Sequence, residues 1–139
     1  MKQKINKEYK IHHIAVSVNN LDKSIEFYKN ILGFRPTWRF NSSNGPTEIQ
    51  YLENNSIKLE LTSRGDKIKS FQTRKDEARI KHISFEVQNI KNSFQFLNDK
   101  VSFISNIKEK IIKEAIITYF FITDPDGIEI EFIQIQKNE

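Results

Sequence analysis

Two stretches of the sequence repeat each other without a gap: IHHIAVSVNNLDKSIEFY, residues Ile11 to Tyr28, and IKHISFEVQNIKNSFQFL, residues Ile80 to Leu97. Isoleucine, histidine, valine, asparagine, serine and phenylalanine recur in them at a constant offset of 69 residues. Self-similarity at a fixed offset indicates that one supersecondary unit occurs twice. The chain is therefore predicted to be built from two copies of a single module.

Each copy begins as a strand and continues as a helix. Apolar residues alternate with others over 14–18 and again over 83–87, which is the period of a half-buried strand. Asn20 and Asn89 follow, and asparagine is a preferred residue at a helix N-cap. Apolar residues at helical spacing then predict a helix in each copy, which ends at Gly33 in the first.

Three further strand signals follow each helix. The first copy supplies FRPTWRF, TEIQYLE and SIKLELT, and the second supplies VSFISNI, AIITYFFIT and GIEIEFIQI. A turn at Asn54 and Asn55 joins the last two strands of the first copy, and the turn DPDG, Asp124 to Gly127, joins those of the second. Each half is therefore predicted to be a β-α-β-β-β module.

The length of 139 residues favours one domain, residues 1–139. We expect module one at about 9–62, a polar linker at 63–78 and module two at about 79–136. No apolar run approaches the roughly eighteen residues of a membrane helix, and the N-terminus lacks the apolar segment of a signal peptide. These features predict a cytoplasmic protein with no membrane partner.

Composition excludes several kinds of site. The chain has no cysteine, so disulfides, thiolate metal sites and cysteine nucleophiles are excluded, and any metal must be held by histidine and carboxylate. The net charge is +4, but the lysines are scattered among acidic residues without a basic run. This distribution argues against a nucleic-acid partner, although a weak positive field would favour a small anionic substrate.

Four polar residues occupy repeated positions on the strand faces that point away from the predicted core. His13 and His82 are equivalent in the two copies, and Glu60 and Glu131 are equivalent at an offset of 71 residues. Each is flanked by apolar residues one position away, so each points away from the helix-packed layer. If the two halves pair by approximate twofold symmetry, two imidazoles and two carboxylates converge, a donor set suited to Zn, Ni, Co, Mn or Fe.

Taken singly, such residues have ordinary explanations. A histidine on a strand is usually a half-buried polar residue, and a glutamate on a solvated face usually has no partner. The repeat selects among them, because His12 aligns with Lys81 and Glu129 aligns with Lys58, whereas Glu131 aligns with another glutamate. We therefore interpret His12 as a strand-edge residue and Glu129 as a solvated charge.

The segments HHIAVSVNNLDKSIEFYKNILGF, KHISFEV and TDPDGIEIEFIQ resemble the vicinal oxygen chelate superfamily. This superfamily includes glyoxalase I, methylmalonyl-CoA epimerase, extradiol dioxygenases and fosfomycin or bleomycin resistance proteins. The resemblance covers nearly the whole chain. It implies an α+β fold in which two β-α-β-β-β modules form a cupped, eight-stranded mixed sheet with the helices on its outer face. It also implies one divalent metal ion per site, held by His13, Glu60, His82 and Glu131.

Within the superfamily the second carboxylate is informative. Extradiol dioxygenases of this superfamily typically have a metal site of two histidines and one carboxylate. Methylmalonyl-CoA epimerases usually have an amide residue at the position of Glu60. The full set of four resembles glyoxalase I. The resemblance implies a metal-dependent lyase or isomerase, similar to lactoylglutathione lyase, that moves a proton through an enediolate on a substrate with adjacent oxygens. It assigns Glu131 as the base, with Glu60 as ligand or second base.

Other activities of the superfamily stay open at this point. One alternative is an enzyme similar to methylmalonyl-CoA epimerase, and another is a dioxygenase or a metal-dependent thiol transferase that acts on an antibiotic. A third is a protein that sequesters a drug between two chains. Sequestering members generally lack the metal ligands, so four intact candidates argue against that third alternative.

The chain departs from the family pattern where glutathione would bind. In the family that this chain resembles, bacterial glyoxalase I proteins that use glutathione typically carry an arginine four residues after the first ligand histidine. They also carry an asparagine shortly after the second ligand. Here those positions hold Ser17 and Arg64. The resemblance therefore leaves another thiol or an acyl-type substrate as alternatives.

Arginines are the candidate contacts for an anionic substrate. Arg35, Arg39, Arg64 and Arg74 could contact it, although most of them are expected to be solvated loop and edge-strand charges. Arg64 and Arg39 are the predicted substrate contacts. Trp38 is expected to pack at the sheet edge. The resemblance also implies a homodimer, since related proteins often build each site from two chains by exchanging modules, and the linker permits exchange or closure within one chain.

Overall fold

The computed structural model describes residues 7–43, 45–64 and 77–137. The first module comprises β1 (Ile14–Ser17), α1 (Leu21–Glu26), which continues as a π-helical turn (Phe27–Ile31), β2 (Arg35–Asn41), β3 (Glu48–Asn54) and β4 (Ile57–Ser63). The second comprises β5 (Ile83–Glu86), α2 (Ile90–Leu97), β6 (Lys108–Ile112), β7 (Ala115–Thr123) and β8 (Glu129–Lys137). Both halves thus have the predicted order β-α-β-β-β.

The strands form two four-stranded mixed sheets with the orders β1-β4-β3-β2 and β5-β8-β7-β6. In each sheet the first strand pairs in parallel with the last, and the other neighbours are antiparallel. Helix α1 packs against β3 and β4, and α2 packs against β7 and β8. The two sheets make a curved arrangement of eight strands, which confirms the predicted α+β fold.

Both helices begin at the asparagines that the repeat predicts as caps. The side-chain oxygen of Asn20 accepts a hydrogen bond from the backbone N–H of Lys23 at 3.0 Å, and Asn89 accepts one from Asn92 at 3.0 Å. Each cap satisfies an amide group that the first turn of a helix leaves unpaired. Gly33 ends the first helical segment with φ +75°, a conformation that glycine adopts without steric cost.

The prediction of a strand at VSFISNI, residues 101–107, is wrong. In that segment Ile104 makes a single bridge to Ile122, and the true strand β6 begins at Lys108. Strand β6 is exposed along its whole length, so hydrophobic alternation gives no signal for it. Its position follows from a tight turn to β7, at which Lys113 has φ 54°.

The two modules pack against each other through one core cluster with residues from both halves. The DPDG turn contributes polar contacts across this boundary. The Tyr28 hydroxyl donates to Oδ2 of Asp124 at 2.9 Å, and the backbone N–H of Asn19 donates to Asp126 at 3.3 Å. Phe34 also meets Phe85 at a ring-centroid distance of 5.9 Å. The turn of module two therefore docks on the helix of module one.

Asp124 organises the DPDG turn from a buried position. Its Oδ1 accepts hydrogen bonds from the backbone N–H groups of Asp126 and Ile128, each at 2.9 Å. Burial raises the pKa of Asp124, although these hydrogen bonds and the one from Tyr28 oppose the rise. Burial, followed by the charge of Asp124, raises the pKa of Tyr28 strongly. The Tyr28 hydroxyl therefore stays protonated in the folded protein.

Neither described helix is both long and apolar enough to cross a membrane.

Candidate active site

Two glutamates stand on the strand faces opposite the helices. In β4, Leu59 and Leu61 are fully buried on the helix side, so Glu60 between them points to the opposite face. In β8, Ile130 and Phe132 are buried and place Glu131 on the corresponding face of the second sheet. The side chains of the two glutamates keep 17% and 15% of their surface accessible.

The first glutamate forms a pair with a histidine. His13 lies directly before β1, and its Nε2 is 3.1 Å from Oε2 of Glu60. The Tyr51 hydroxyl donates to the same carboxylate oxygen at 2.5 Å. This hydrogen bond is the largest cause of a raised pKa at Tyr51, ahead of burial.

The second glutamate forms an equivalent but looser pair. His82 lies directly before β5, and its Nε2 is 4.0 Å from Oε2 of Glu131. The Ser84 hydroxyl donates to the other carboxylate oxygen, Oε1, at 2.8 Å. Oε2 is therefore the oxygen of Glu131 that faces the histidine.

The strand register shows that the two pairs occupy the same place in their sheets. On the parallel side, Ala15 lies opposite Glu60, and Ser84 lies opposite Glu131. On the antiparallel side, Tyr51 lies opposite Glu60, and Phe121 lies opposite Glu131. Each carboxylate thus has one hydroxyl partner. The hydroxyl comes from the antiparallel neighbour β3 in module one and from the parallel neighbour β5 in module two.

The four residues form two pairs, each of one histidine and one glutamate. In the described part of the chain, which contains all four residues, no group of three or more histidine, cysteine, aspartate or glutamate side chains is placed to hold a metal ion. The structure therefore makes two half-sites, His13 with Glu60 and His82 with Glu131.

The donor geometry of the first half-site fits a divalent metal. Two ligands in neighbouring positions of an octahedral ion, each about 2.1 Å from it, lie about 3 Å apart. The separation of 3.1 Å between His13 Nε2 and Glu60 Oε2 matches that value. The second half-site is wider, with 4.0 Å between His82 Nε2 and Glu131 Oε2. Imidazole and carboxylate are the donor types that Zn, Ni, Co, Mn and Fe accept.

Three residues around the half-sites were missed as functional candidates in the sequence. Nδ1 of His12 lies 2.8 Å from Nδ1 of His13, at the ring nitrogen that does not face Glu60. A metal-binding histidine commonly uses its second nitrogen for such a hydrogen bond. Tyr51 and Ser84 hold the carboxylates. Tyr51 could have been found from its place opposite Glu60 in the predicted hairpin.

Arg39 is placed away from the glutamate face. Its guanidinium donates to Asp22 in the first turn of α1 at 2.9 Å and to Glu48 at 3.1 Å, and these two hydrogen bonds raise its pKa. Since α1 packs on the face of the sheet opposite Glu60, the guanidinium of Arg39 lies away from both half-sites.

The other arginines are not brought to the half-sites either. Arg64 lies in a surface hollow with the start of α1, and its Nε donates to Thr47 at 3.3 Å. Arg35 pairs with Glu53 at 3.3 Å. Arg74 lies outside the described residues. The predicted contact of Arg64 with substrate therefore gains no support from its position.

The prediction that Trp38 packs at the sheet edge is wrong. Trp38 is 74% exposed rather than packed at the sheet edge. Its ring meets the edge of Tyr51 at a centroid distance of 6.5 Å, and Phe40 stacks on Tyr51 at 6.1 Å. These aromatic side chains extend the row from His13 and Glu60 across the first sheet to its outer strand.

Comparison with known proteins agrees with this architecture. Residues 10–132 match the family described as the Glyoxalase/Bleomycin resistance protein/Dioxygenase superfamily. The chain is 30% identical to the uncharacterized protein YwkD of Bacillus subtilis over 125 residues, which cover 89% of the chain and 95% of the relative. It is 29% identical to a lactoylglutathione lyase of Neisseria meningitidis over 134 residues, which cover 91% of each.

A solved structure shows the same fold. The glyoxalase family protein from Enterococcus faecalis superposes with a TM-score of 0.77 over 89% of this chain and 96% of the other, at 23% identity.

Proposed function

We propose, given that the chain belongs to the Glyoxalase/Bleomycin resistance protein/Dioxygenase superfamily, that it is a metal-dependent lyase or isomerase of the glyoxalase type. Its substrate presents two adjacent oxygens, as the hemithioacetal of a 2-oxoaldehyde does. The reaction moves a proton between neighbouring carbons through an enediolate. The thiol that forms the hemithioacetal is not assigned to glutathione, because Ser17 and Arg64 replace the residues typical of glutathione-dependent relatives.

The observation that carries this proposal is the repetition of a histidine and carboxylate pair at one register position in both sheets. Glu60 and Glu131 occupy the same register position between a parallel and an antiparallel strand, and His13 and His82 each directly precede the first strand of their sheet. A partly exposed ion pair contributes only modestly to stability. Stability alone therefore gives no reason for the same pair at the same position twice.

In this proposal His13, Glu60, His82 and Glu131 hold one divalent metal ion. When bound, such an ion stabilises negative charge that develops on the substrate oxygens. Glu131 removes the proton from the substrate carbon and returns it to the neighbouring carbon. Its oxygen Oε2 suits that role because the Ser84 hydroxyl binds Oε1 and leaves Oε2 facing the histidine side.

The complete site requires two chains. The described part of the chain holds no group of three or more potential metal ligands, which supports a site that a second copy completes. A second copy can present its module two to module one of the first. We infer a homodimer with two sites, each formed by one half-site from each protomer.

The test is metal analysis of the purified protein, followed by turnover of methylglyoxal with a panel of thiols. We expect about one divalent ion per chain and product formation with at least one thiol. Absence of bound metal after incubation with Ni, Co, Zn, Mn and Fe would contradict the proposal. Metal binding without turnover by any thiol, combined with exchange of the α-proton of methylmalonyl-CoA, would replace it with an epimerase.

A further inference from the structure

The two carboxylates of the proposed site are held differently. We propose that Tyr51 is a positioning residue that fixes Glu60 as a metal ligand, so that Glu60 and Glu131 have unequal roles. This inference rests on the proposed function, because it concerns the carboxylates of that site. It adds a residue that neither the repeat nor the ligand set predicts.

The hydroxyl of Tyr51 is committed to Glu60. It donates at 2.5 Å to Oε2, the same oxygen that lies 3.1 Å from His13 Nε2. Hydrogen bonds to ionised groups are shorter and stronger than neutral ones. With one oxygen held by Tyr51 and His13, the orientation of the Glu60 carboxylate is fixed before a metal binds.

The ring of Tyr51 is itself held on several sides. It meets the ring of His13 edge-on at a centroid distance of 5.6 Å, so one side chain contacts both members of the half-site. Phe40 stacks on Tyr51 with an interplanar angle of 19°, and Trp38 approaches it edge-on. A ring packed in this way aims its hydroxyl with little loss of rotamer freedom on metal binding.

Module two has the equivalent ring, since Phe121 meets His82 edge-on at a centroid distance of 5.2 Å, but it lacks the hydroxyl. Phe121 occupies the register position of Tyr51 and has no hydroxyl to offer Glu131. Glu131 is held instead through Oε1 by Ser84, and its Oε2 is 4.0 Å from His82. The hydroxyl partner of Glu131 leaves Oε2 free, whereas Oε2 of Glu60 is held by both Tyr51 and His13. The asymmetry assigns Glu60 as a fixed ligand and leaves Glu131 as the base.

The first test is Tyr51→Phe, which removes the hydroxyl and keeps the ring. Affinity for Co²⁺ is measured by titration calorimetry and by the visible absorption of the bound ion. Loss of a partner that orients a metal ligand typically lowers metal affinity about 10- to 100-fold, and we expect a loss in that range. Tyr119→Phe, which removes a hydroxyl from the second sheet where the ring lies under Lys110, is the control and should bind as the parent does.

The second test is Phe121→Tyr, which offers Glu131 the hydroxyl that Glu60 has. We expect unchanged or tighter Co²⁺ binding together with a lower kcat, because a fixed Glu131 cannot reach the substrate carbon. A combined loss of affinity and rate would contradict the proposed asymmetry. This variant keeps the inference testable if Tyr51→Phe shows a lowered melting temperature.

The outcomes separate the two proposals. If the parent binds Co²⁺ and Tyr51→Phe binds it equally well, the role of Tyr51 is wrong and the proposed function stands. If the parent binds no metal, the proposed function fails, and the role of Tyr51 fails with it. A weaker Tyr51→Phe variant with the melting temperature and the dimer of the parent supports the inference.

Discussion

Nε2 of His13 lies 3.1 Å from Oε2 of Glu60, on the face of the first sheet that points away from the helices. The same residue types recur at the same position of the second sheet, at 4.0 Å. Because a surface ion pair adds little stability, the repetition points to a shared ligand rather than to two independent salt bridges.

Glu131 and its neighbour Glu129 offer a matched pair of variants on one strand. Glu131→Gln should reduce kcat by roughly 10²–10⁴-fold, because an amide cannot accept the substrate proton. Glu129→Gln should keep the parent rate, since Glu129 aligns with Lys58 and is not part of the pair. The structure places Glu129 half-buried, two residues from Glu131, which corrects its interpretation as a solvated charge. Steady-state kinetics with the active thiol measures both. Equal losses in the two variants would show that general surface charge, not Glu131, supports turnover.

A site shared between chains predicts complementation. His13→Ala and His82→Ala should each be inactive alone. In a heterodimer of the two, one site carries both substitutions and the other carries neither, so about half of the parent activity should return. Co-expression with two affinity tags and purification through both tags isolates this heterodimer. An inactive heterodimer would mean that each site is completed within one chain.

The hydrogen bond from Tyr28 to Asp124 should stabilise the docking of the modules. Tyr28→Phe leaves a buried carboxylate oxygen without its donor, and we expect the free energy of unfolding to fall by about 1–3 kcal/mol. Tyr119→Phe makes the same chemical change at a residue that is not fully buried and should cost less than about 0.5 kcal/mol. Urea unfolding followed by circular dichroism compares them. Similar losses would show that the contact with Asp124 adds no stability.

Burial of Asp124 should give stability a recognisable pH dependence. Its pKa is raised above the usual value of 3.8, so the folded chain binds this proton more tightly than the unfolded chain does. The contribution to stability is therefore fully present below pH 3.8 and falls as the pH rises through the raised pKa. The free energy of unfolding of the parent minus that of Asp124→Asn should decrease from about pH 4 to about pH 7. A constant difference would contradict the raised pKa.

Much of the fold could be predicted from local patterns. The alternation of apolar and polar residues around Glu60 and Glu131 predicted the strand face on which each glutamate lies. Asn20 and Asn89 predicted where the helices begin. The exposed strand β6 could not be found in this way, because it is defined by pairing with β7 rather than by apolar residues. The ligand roles of the histidines and glutamates stay predictions until metal binding is measured.

The sequence by itself determined the two modules, the position of each helix and the face on which each candidate ligand lies, because strand periodicity and helix capping act over a few residues. Only the tertiary structure decided that the candidates form two separate pairs, that Tyr51 holds Glu60, and that Ser84 holds Glu131. These contacts depend on strand register and on docking of the modules. Both are set by interactions between residues far apart in the chain, which local patterns do not encode.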